Sequence, residues 1–320
     1  MGFVPLKKKG FRKMDPIAFF LIVISAVLHA SWNLIAKKNR MRIALYALLC
    51  LPGTLLWSNV QFWTPVPVFD LPLKFWLVVA ATVASDVFIY CIGLTYTYKK
   101  MDMASAYPMM RALPILMTAA VTTMLGLGDP IPWISVFGFL LVFCGSLLMP
   151  LKTFSDLKLS NYLTPTIFFV FYTALGTTGY TIFDSQGLQI IREYCAAHNM
   201  DISKPIVSLT YYSTRSICLV STLFLCVLCL KQERAAMKEY WKERNFMPLV
   251  GGICASGTYV LVLIAMNYVT NVSYVQVCRQ LGLPIGMAAG IIFLKERATL
   301  VKWCGVSLIL IGFAIAVLLK

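Results

Sequence analysis

Ten stretches of roughly twenty apolar residues, separated by polar connectors, constrain this chain more than any other feature. A helix needs about 20 such residues to cross a bilayer, because each residue advances it by only about 1.5 Å. Hydrophobic residues make up 59% of the chain, which is more apolar surface than one soluble core can bury. We therefore predict an all-α polytopic membrane protein. The predicted spans are residues 16–36, 42–60, 74–98, 102–124, 131–150, 163–184, 206–230, 248–268, 272–294 and 300–319.

The net charge of +15 would suggest a nucleic-acid partner in a soluble protein. Here the basic residues cluster at the ends of apolar runs, so we expect them to meet lipid headgroups and expect no nucleic acid as a partner.

The basic run before the first span resembles the start of a signal peptide, but the span is long and lacks a small-residue cleavage pattern. We interpret it as a membrane helix. Residues 231–247 carry mixed charge and are interpreted as a solvated or interfacial loop, and residues 185–205 as a connector with a helix-compatible stretch.

An arginine occurs at the same place in two halves of the sequence. Ser105 precedes Arg111 as Ser273 precedes Arg279, and the two copies lie 168 residues apart. A guanidinium inside a span costs about 2.5–3.5 kcal/mol on insertion scales, so a paired occurrence indicates a function. The first copy lies in the fourth predicted span and the second in the ninth, five spans later. Because this offset is odd, the second copy is inverted across the membrane relative to the first. Inverted repeats of this kind are typical of secondary transporters, whose substrates bind near the midplane.

Glycines extend the repeat beyond the arginines. At nearly the same offset Gly138 aligns with Gly305, and Gly145 aligns with Gly312. We therefore predict ten transmembrane helices arranged as two inverted five-helix repeats. The expected organisation is a basic N-terminal tail (1–15), a first repeat (16–150), a linker (151–162) and a second repeat (163–320).

Three segments resemble the EamA-type ten-helix members of the drug/metabolite transporter superfamily. They are the opening span from His29 through Asn33 to Lys37, the segment Tyr90–Tyr98 before a helix rich in small residues, and the turn Leu294–Thr299 before Gly305 and Gly312. The resemblance extends over residues 16–319. It implies a transporter of the cell (inner) membrane that carries small metabolites. It also implies a central cavity lined mainly by helices one, three, four, six, eight and nine.

Charged residues inside the spans indicate the substrate class. Arg111, Arg215 and Arg279 outnumber Asp86 and Asp184, which favours an organic anion bearing a phosphate, phosphonate or carboxylate group. Arg111 and Arg279 are candidate substrate ligands; alternatively, they pair with the two aspartates or with helix carbonyls. Asp86, Asp184 and Arg215 are candidates for a coupling site or an ion pair, and Arg215 also for a brace or a snorkelling side chain.

Further candidates for the cavity wall are polar or aromatic side chains within the spans. His29 and Asn33 are one helical turn apart and share a face, where His29 would titrate near neutral pH or form an interhelical hydrogen bond. Tyrosines offer hydroxyls and aromatic walls, or simply pack. The complete set is His29, Trp32, Asn33, Tyr90, Tyr107, Tyr180, Tyr259 and Tyr274.

The sequence lacks the motifs of common enzymes. It contains no glycine-rich phosphate loop, no His-Glu-x-x-His and no Gly-x-Ser-x-Gly motif, and it has only two histidines. We predict that the chain is not an enzyme and that it needs no cofactor or metal. The ten cysteines lie mostly in predicted helices, where they act as small hydrophobic residues.

The expected function is alternating-access transport of a small organic anion. The expected partners are the substrate and membrane lipids, with protons or a counter-substrate as candidates for coupling, and the expected unit is a monomer or a homodimer. One alternative is an exporter of amino acids, other zwitterions or drugs, and another is a lipid-phosphate translocase.

An even number of spans places both termini on one side. The resemblance implies the cytoplasm, whereas the excess of Lys and Arg on the opposite side implies the outside.

Overall fold

The structure is a computed structural model that describes residues 13–36, 42–100, 103–156, 167–243, 247–295 and 299–319. Within these ranges the side chains of 29–36, 103–105, 107, 247, 289, 293 and 294 are outside the description. The described residues form helices and no strand; the one extended pairing among them is an isolated bridge between Met14 and Val269.

Twelve helices make up the described fold. They are α1 (Pro16–Ala36), α2 (Ile43–Trp57), α3 (Leu73–Lys100), α4 (Met103–Met124), α5 (Trp133–Leu148), α6 (Ile167–Ala197), α7 (Lys204–Cys229), α8 (Lys231–Lys242), α9 (Met247–Met266), α10 (Ser273–Arg279), α11 (Gly282–Leu294) and α12 (Leu300–Leu318). A helical turn, Val60–Trp63, and the 3-10 turns Val68–Asp70 and Phe154–Asp156 lie in connectors.

Six helical segments in the described part of the chain are long and apolar enough to cross a bilayer. They are Ile43–Trp63, Leu73–Lys100, Lys204–Cys229, Pro248–Met266, Ser273–Ile292 and Leu300–Leu318. The shorter apolar helices are Pro16–Leu28 and Trp133–Leu148. The fold is therefore all-α and has the character of a multi-pass membrane protein.

Two of the helices depart from regular α geometry. In α3 the segment Ser85–Cys91 is a π-helical turn, a distortion that is frequent at functional sites. Between α10 and α11 the chain tightens at Gln280, because Pro284 has no N–H to donate to the carbonyl four residues earlier. The N–H of Leu283 donates to the Gln280 carbonyl instead, at 2.9 Å. Both distortions adjoin charged residues of the site described below.

The structure corrects two sequence predictions about connectors. Residues 231–242 form helix α8 and not a loop, because the buried Ala236 and its neighbours Met237 and Tyr240 pack on α2. Glu233 fixes this contact by accepting a hydrogen bond from the N–H of Ala44 at 2.9 Å. In addition, α6 continues to Ala197, so residues 185–197 extend the sixth predicted span instead of connecting it to the seventh.

Four glycines bring α5 and α12 into backbone contact. A Cβ on Gly145 would lie 2.6 Å from the carbonyl oxygen of Gly305, and a Cβ on Gly312 would lie 2.7 Å from that of Gly138. Since the glycine pairs run in opposite order along the two helices, α5 and α12 are antiparallel. Small residues at a helix crossing permit the close van der Waals packing that holds membrane helices together.

Replacing Gly145 by Ala is expected to destabilise the protein by about 1–3 kcal/mol, the usual cost of overpacking a tight contact. The measurement is thermal unfolding of the purified protein in detergent. Gly286→Ala in α11 is the matched control, because a Cβ there meets nothing within 4 Å. Equal unfolding temperatures for the two variants would contradict the assignment of Gly145 to a backbone contact.

The two ends of the described chain lie together at one end of the bundle. The Nζ of Lys13 donates to the Leu319 carbonyl at 2.6 Å and to Ser135 Oγ at 2.7 Å. Lysine beside the last carbonyls of a helix is stabilising because it complements the helix dipole. We call this end, where α1 begins and α12 ends, the terminal end.

Candidate functional site

One guanidinium holds two buried carboxylates inside the helical bundle. Arg215 of α7 donates from Nη2 to Asp86 Oδ2 at 2.5 Å and from Nε to Asp184 Oδ1 at 3.1 Å. None of the three side chains is more than 4% exposed. Asp86 lies in the π-helical turn of α3 and Asp184 lies on α6, so the cluster joins three helices.

Tyrosine hydroxyls occupy the remaining acceptor positions of these carboxylates. Tyr46 donates to Asp86 Oδ1 at 2.8 Å, Tyr211 donates to Asp184 Oδ1 at 2.8 Å, and Tyr259 donates to Asp184 Oδ2. Every carboxylate oxygen therefore has at least one partner. Ionised, the three charged groups sum to −1, and the aspartates present no free oxygen to a ligand.

A cavity lies beside this cluster, which we call the central cavity. Its empty volume is about 790 Å³, including space open to the surroundings. Five tyrosine rings form a continuous series along its wall, with neighbouring centroids 5.7–6.2 Å apart. In order, this tyrosine belt consists of Tyr46, Tyr90, Tyr180, Tyr259 and Tyr212.

Arg279 brings a second guanidinium to the central cavity wall. Its Nη1 is buried and has no hydrogen-bond partner. Its guanidinium forms a hydrogen bond with Tyr180, its other electrostatic neighbours are the hydroxyls of Tyr90 and Tyr259, and it forms no ion pair with a carboxylate of the described residues. A buried donor without an acceptor costs free energy, more so when it is charged. Arg279 is thus the group in this wall that most lacks a counterpart.

Arg111 supports Arg279 from α4. Arg111 Nη2 donates to the backbone carbonyl of Arg279 at 2.8 Å, and Gln280 Nε2 donates to the backbone carbonyl of Arg111 at 2.6 Å. The two arginines of the sequence repeat therefore meet through side chain and backbone. Arg111 is absent from the wall of the central cavity, and its contact with a helix carbonyl corresponds to the alternative role as a brace that the sequence left open.

The structure sorts the other predicted residues into three groups. Tyr90, Tyr180 and Tyr259 line the central cavity as expected. Tyr274 does not, because its ring is 1% exposed and packs edge-on against Phe139. The predicted side chains outside the description are His29, Trp32, Asn33 and Tyr107.

The expected pairing of charges also needs correction. Asp86 and Asp184 were candidate partners of Arg111 and Arg279, but both pair with Arg215. Arg215 is accordingly a buried brace and not a snorkelling side chain. Its guanidinium carbon lies 4.6 Å from the centre of the Tyr259 ring, which adds a cation–π contact.

Two tyrosines of the wall, Tyr46 and Tyr212, were not among the residues predicted from the sequence. Tyr212 lies three residues before Arg215, so helical spacing alone places both on one face of α7. Tyr46 gives no comparable signal, because it stands among apolar residues near the start of α2. The resemblance implied walls from helices one, three, four, six, eight and nine. The described wall includes the third, sixth, eighth and ninth spans and, in addition, the second and seventh.

The described residues contain no group of three or more His, Cys, Asp or Glu side chains arranged to hold a metal ion. Asp86 and Asp184, the acidic pair of the site, are bridged by a cation of the chain itself.

Comparisons with known proteins inform the fold alone. No protein-family model matches the chain, and a search of curated proteins finds no match. One solved structure, described only as the crystal structure of a protein, matches with a TM-score of 0.66 at 15% sequence identity. The match covers 94% of this chain and 96% of the other. The two chains thus share a fold over nearly their whole length.

Proposed function

We propose that the protein is a secondary transporter that carries a small organic anion with a phosphate, phosphonate or carboxylate group. The observation that carries this proposal is Arg279, whose buried Nη1 lacks an acceptor on the wall of a cavity. An oxyanion would supply that acceptor and form a charge-assisted hydrogen bond. The described ion pairs join the nearby carboxylates to Arg215, so neither carboxylate is bonded to Arg279.

Transport, as opposed to binding alone, requires that the cavity be reachable from both sides in turn. The glycine contacts support two inverted five-helix repeats. If Gly138 is equivalent to Gly305 and Gly145 to Gly312, a twofold axis between α5 and α12 converts a contact of Gly138 with Gly312 into a contact of Gly305 with Gly145. Both contacts are present. The arginine segments also contact each other, since the Arg111 side chain donates to the Arg279 carbonyl and the Gln280 side chain donates to the Arg111 carbonyl.

Inverted repeats place a site between two halves that rock against each other, which exposes the site alternately. In this proposal the halves are the two five-span repeats predicted from the sequence and resemble the EamA-type architecture. The inner cell membrane follows from the same resemblance. Arg279 and the tyrosine belt then lie where the two halves meet.

A zwitterion is the second candidate substrate, because one observation favours it. The tyrosine belt presents several π-faces, which attract an ammonium group. Arg279 would then bind the carboxylate of the same molecule. Asp86 is a poor amine ligand in this conformation, since Arg215 and Tyr46 occupy its two oxygens.

A ligand screen by thermal unfolding tests the substrate class. The probes are inorganic phosphate, methylphosphonate, succinate, alanine, choline and a short-chain lipid phosphate, all at constant ionic strength. We expect a small oxyanion to raise the unfolding temperature, because a ligand at 100 times its Kd stabilises the folded state by about 2.7 kcal/mol. Alanine alone would favour the zwitterion, and the lipid alone would favour a lipid-phosphate translocase. Stabilisation by choline alone would contradict anion recognition.

A further inference from the structure

A second cavity lies at the terminal end of the bundle, and we call it the terminal cavity. It has an empty volume of about 470 Å³ and lies between the end of α4, the second half of α6 and the loop after α9. Its wall is largely polar and includes Thr122, Ser185, Gln186, Arg192 and Asn271. A polar recess of this kind at the end of a membrane helix bundle is suited to a hydrated, polar ligand.

Arg192 carries the charge of the terminal cavity. It is the single charged residue on the wall within the described part of the chain, and its Nη1 donates to the neutral Asn267 Oδ1. Lys204 adds positive potential near Arg192, with its ammonium over the Tyr268 ring. The acidic neighbours are the exposed Glu193, which accepts a hydrogen bond from Gln189 at 2.7 Å, and Asp15, whose carboxylate interacts with Lys204. The wall itself therefore favours an anion.

Both cavities lie along α6. Tyr180 lines the central cavity, and Ile182 and Ser185 line the terminal cavity. Thr181 lies between them and accepts a hydrogen bond from Gln276 Nε2 at 2.7 Å. Both of these side chains are buried, and Gln276 belongs to α10, the helix that ends in Arg279. This hydrogen bond therefore joins α6, which borders both cavities, to the helix that carries Arg279.

We propose that the terminal cavity is a second anion-binding site, in which Arg192, Ser185 and Gln186 receive the substrate before or after it occupies the central cavity. The site rests on the proposed function for its place on a transport path. The expected preference of the terminal cavity for anions follows from the residues of its own wall alone. A small oxyanion binds the Arg192 guanidinium, and the hydroxyl and amide of the two α6 neighbours hold its remaining oxygens.

Charge-selective labelling of Ser185→Cys tests this site without transport. The reagents are the anionic methanethiosulfonate ethylsulfonate and its cationic trimethylammonium analogue, with rates normalised to those for free 2-mercaptoethanol. Mass spectrometry of the peptide counts labelling at position 185 alone, so native cysteines do not interfere. We expect the normalised rate to favour the anionic reagent by roughly threefold or more, because positive potential concentrates anions. Phosphate or succinate is expected to slow the labelling.

Two further substitutions, each combined with Ser185→Cys, show whether the preference for the anionic reagent depends on Arg192. Arg192→Gln should abolish the preference, whereas Arg234→Gln on the exposed face of α8 should leave it unchanged. The proposal is overturned if the preference survives Arg192→Gln, or if neither anion slows the labelling. It is also overturned if position 185 stays unlabelled while the exposed Cys229 reacts. None of these outcomes depends on Arg279, so failure here is distinguishable from failure of the central site.

Discussion

Replacing Arg215 by Gln is expected to destabilise the protein by about 3–5 kcal/mol, because it leaves buried carboxylates without their cation. Asp86 and Asp184 are at most 4% exposed and share this one guanidinium. Their tyrosine partners remain, but neutral hydroxyls do not cancel two negative charges. Arg215→Lys should fall between the wild type and Arg215→Gln, since a single ammonium cannot reproduce the two-armed geometry of the guanidinium.

Thermal unfolding in detergent measures this effect, with Arg234→Gln on α8 as the control for loss of an arginine. A compensated variant gives the sharper comparison. Combining Arg215→Gln with Asp86→Asn and Asp184→Asn removes the uncancelled charges, so this triple variant should be more stable than Arg215→Gln alone. If Arg215→Gln unfolds at the wild-type temperature, the buried ion-pair cluster does not exist as described.

The second large effect is expected at Arg279, where a substitution should weaken ligand binding and not the stability of the fold. Arg279→Gln should weaken anion binding by about 10- to 150-fold, which corresponds to about 1.5–3 kcal/mol for a hydrogen bond to a charged group. The same change should shift the unfolding temperature little, because it removes both a buried guanidinium nitrogen without a partner and one hydrogen bond with Tyr180. Titration calorimetry with the anion found in the screen measures the binding, and thermal unfolding measures the stability.

Arg111→Gln is the matched variant for Arg279→Gln. It removes a guanidinium from the same sequence repeat, but one whose Nη2 bonds to the Arg279 backbone and which does not line the cavity. We expect a smaller loss of affinity and a lower unfolding temperature. An equal loss of affinity in the two variants, with stability retained in both, would place Arg111 in the binding site as the sequence repeat first indicated.

The membrane class could be predicted because its signal is local. Each apolar run reveals a helix without reference to its neighbours, and α1, α7 and α12 begin or end within a few residues of the predicted spans. The encounter of Arg111 with Arg279 was also accessible, since an odd number of spans between them inverts the second copy. Local periodicity also places Tyr212 and Arg215 on one face of α7.

Which carboxylate meets which arginine could not be predicted. Asp86, Asp184 and Arg215 come from three helices, and their pairing depends on how these helices are rotated and shifted against one another. A π-helical turn in α3, which no residue pattern announces, sets the position of Asp86. The mixed charge of residues 231–247 likewise concealed α8, because only three apolar residues in that run mark its packed face.

Tyr274 illustrates a third limit. It belongs to the same motif as Arg279 and is five residues away, so the motif suggested a shared site. On a helix, residues five apart point in different directions, and Tyr274 faces α5, where its hydroxyl donates to Ser135. The motif identified the helix that contributes to the cavity wall. Which residues of that helix face the cavity depends on its rotation about its own axis.

Uptake into proteoliposomes tests the central claim most directly. The vesicles are preloaded with unlabelled phosphate, methylphosphonate and succinate, and each of these is then supplied outside in radiolabelled form. The account predicts that at least one of the three accumulates through the wild-type protein and through Arg234→Gln, but not through a folded, reconstituted Arg279→Gln. Accumulation through Arg279→Gln at the wild-type rate, or none above empty vesicles for any of the anions, would contradict it.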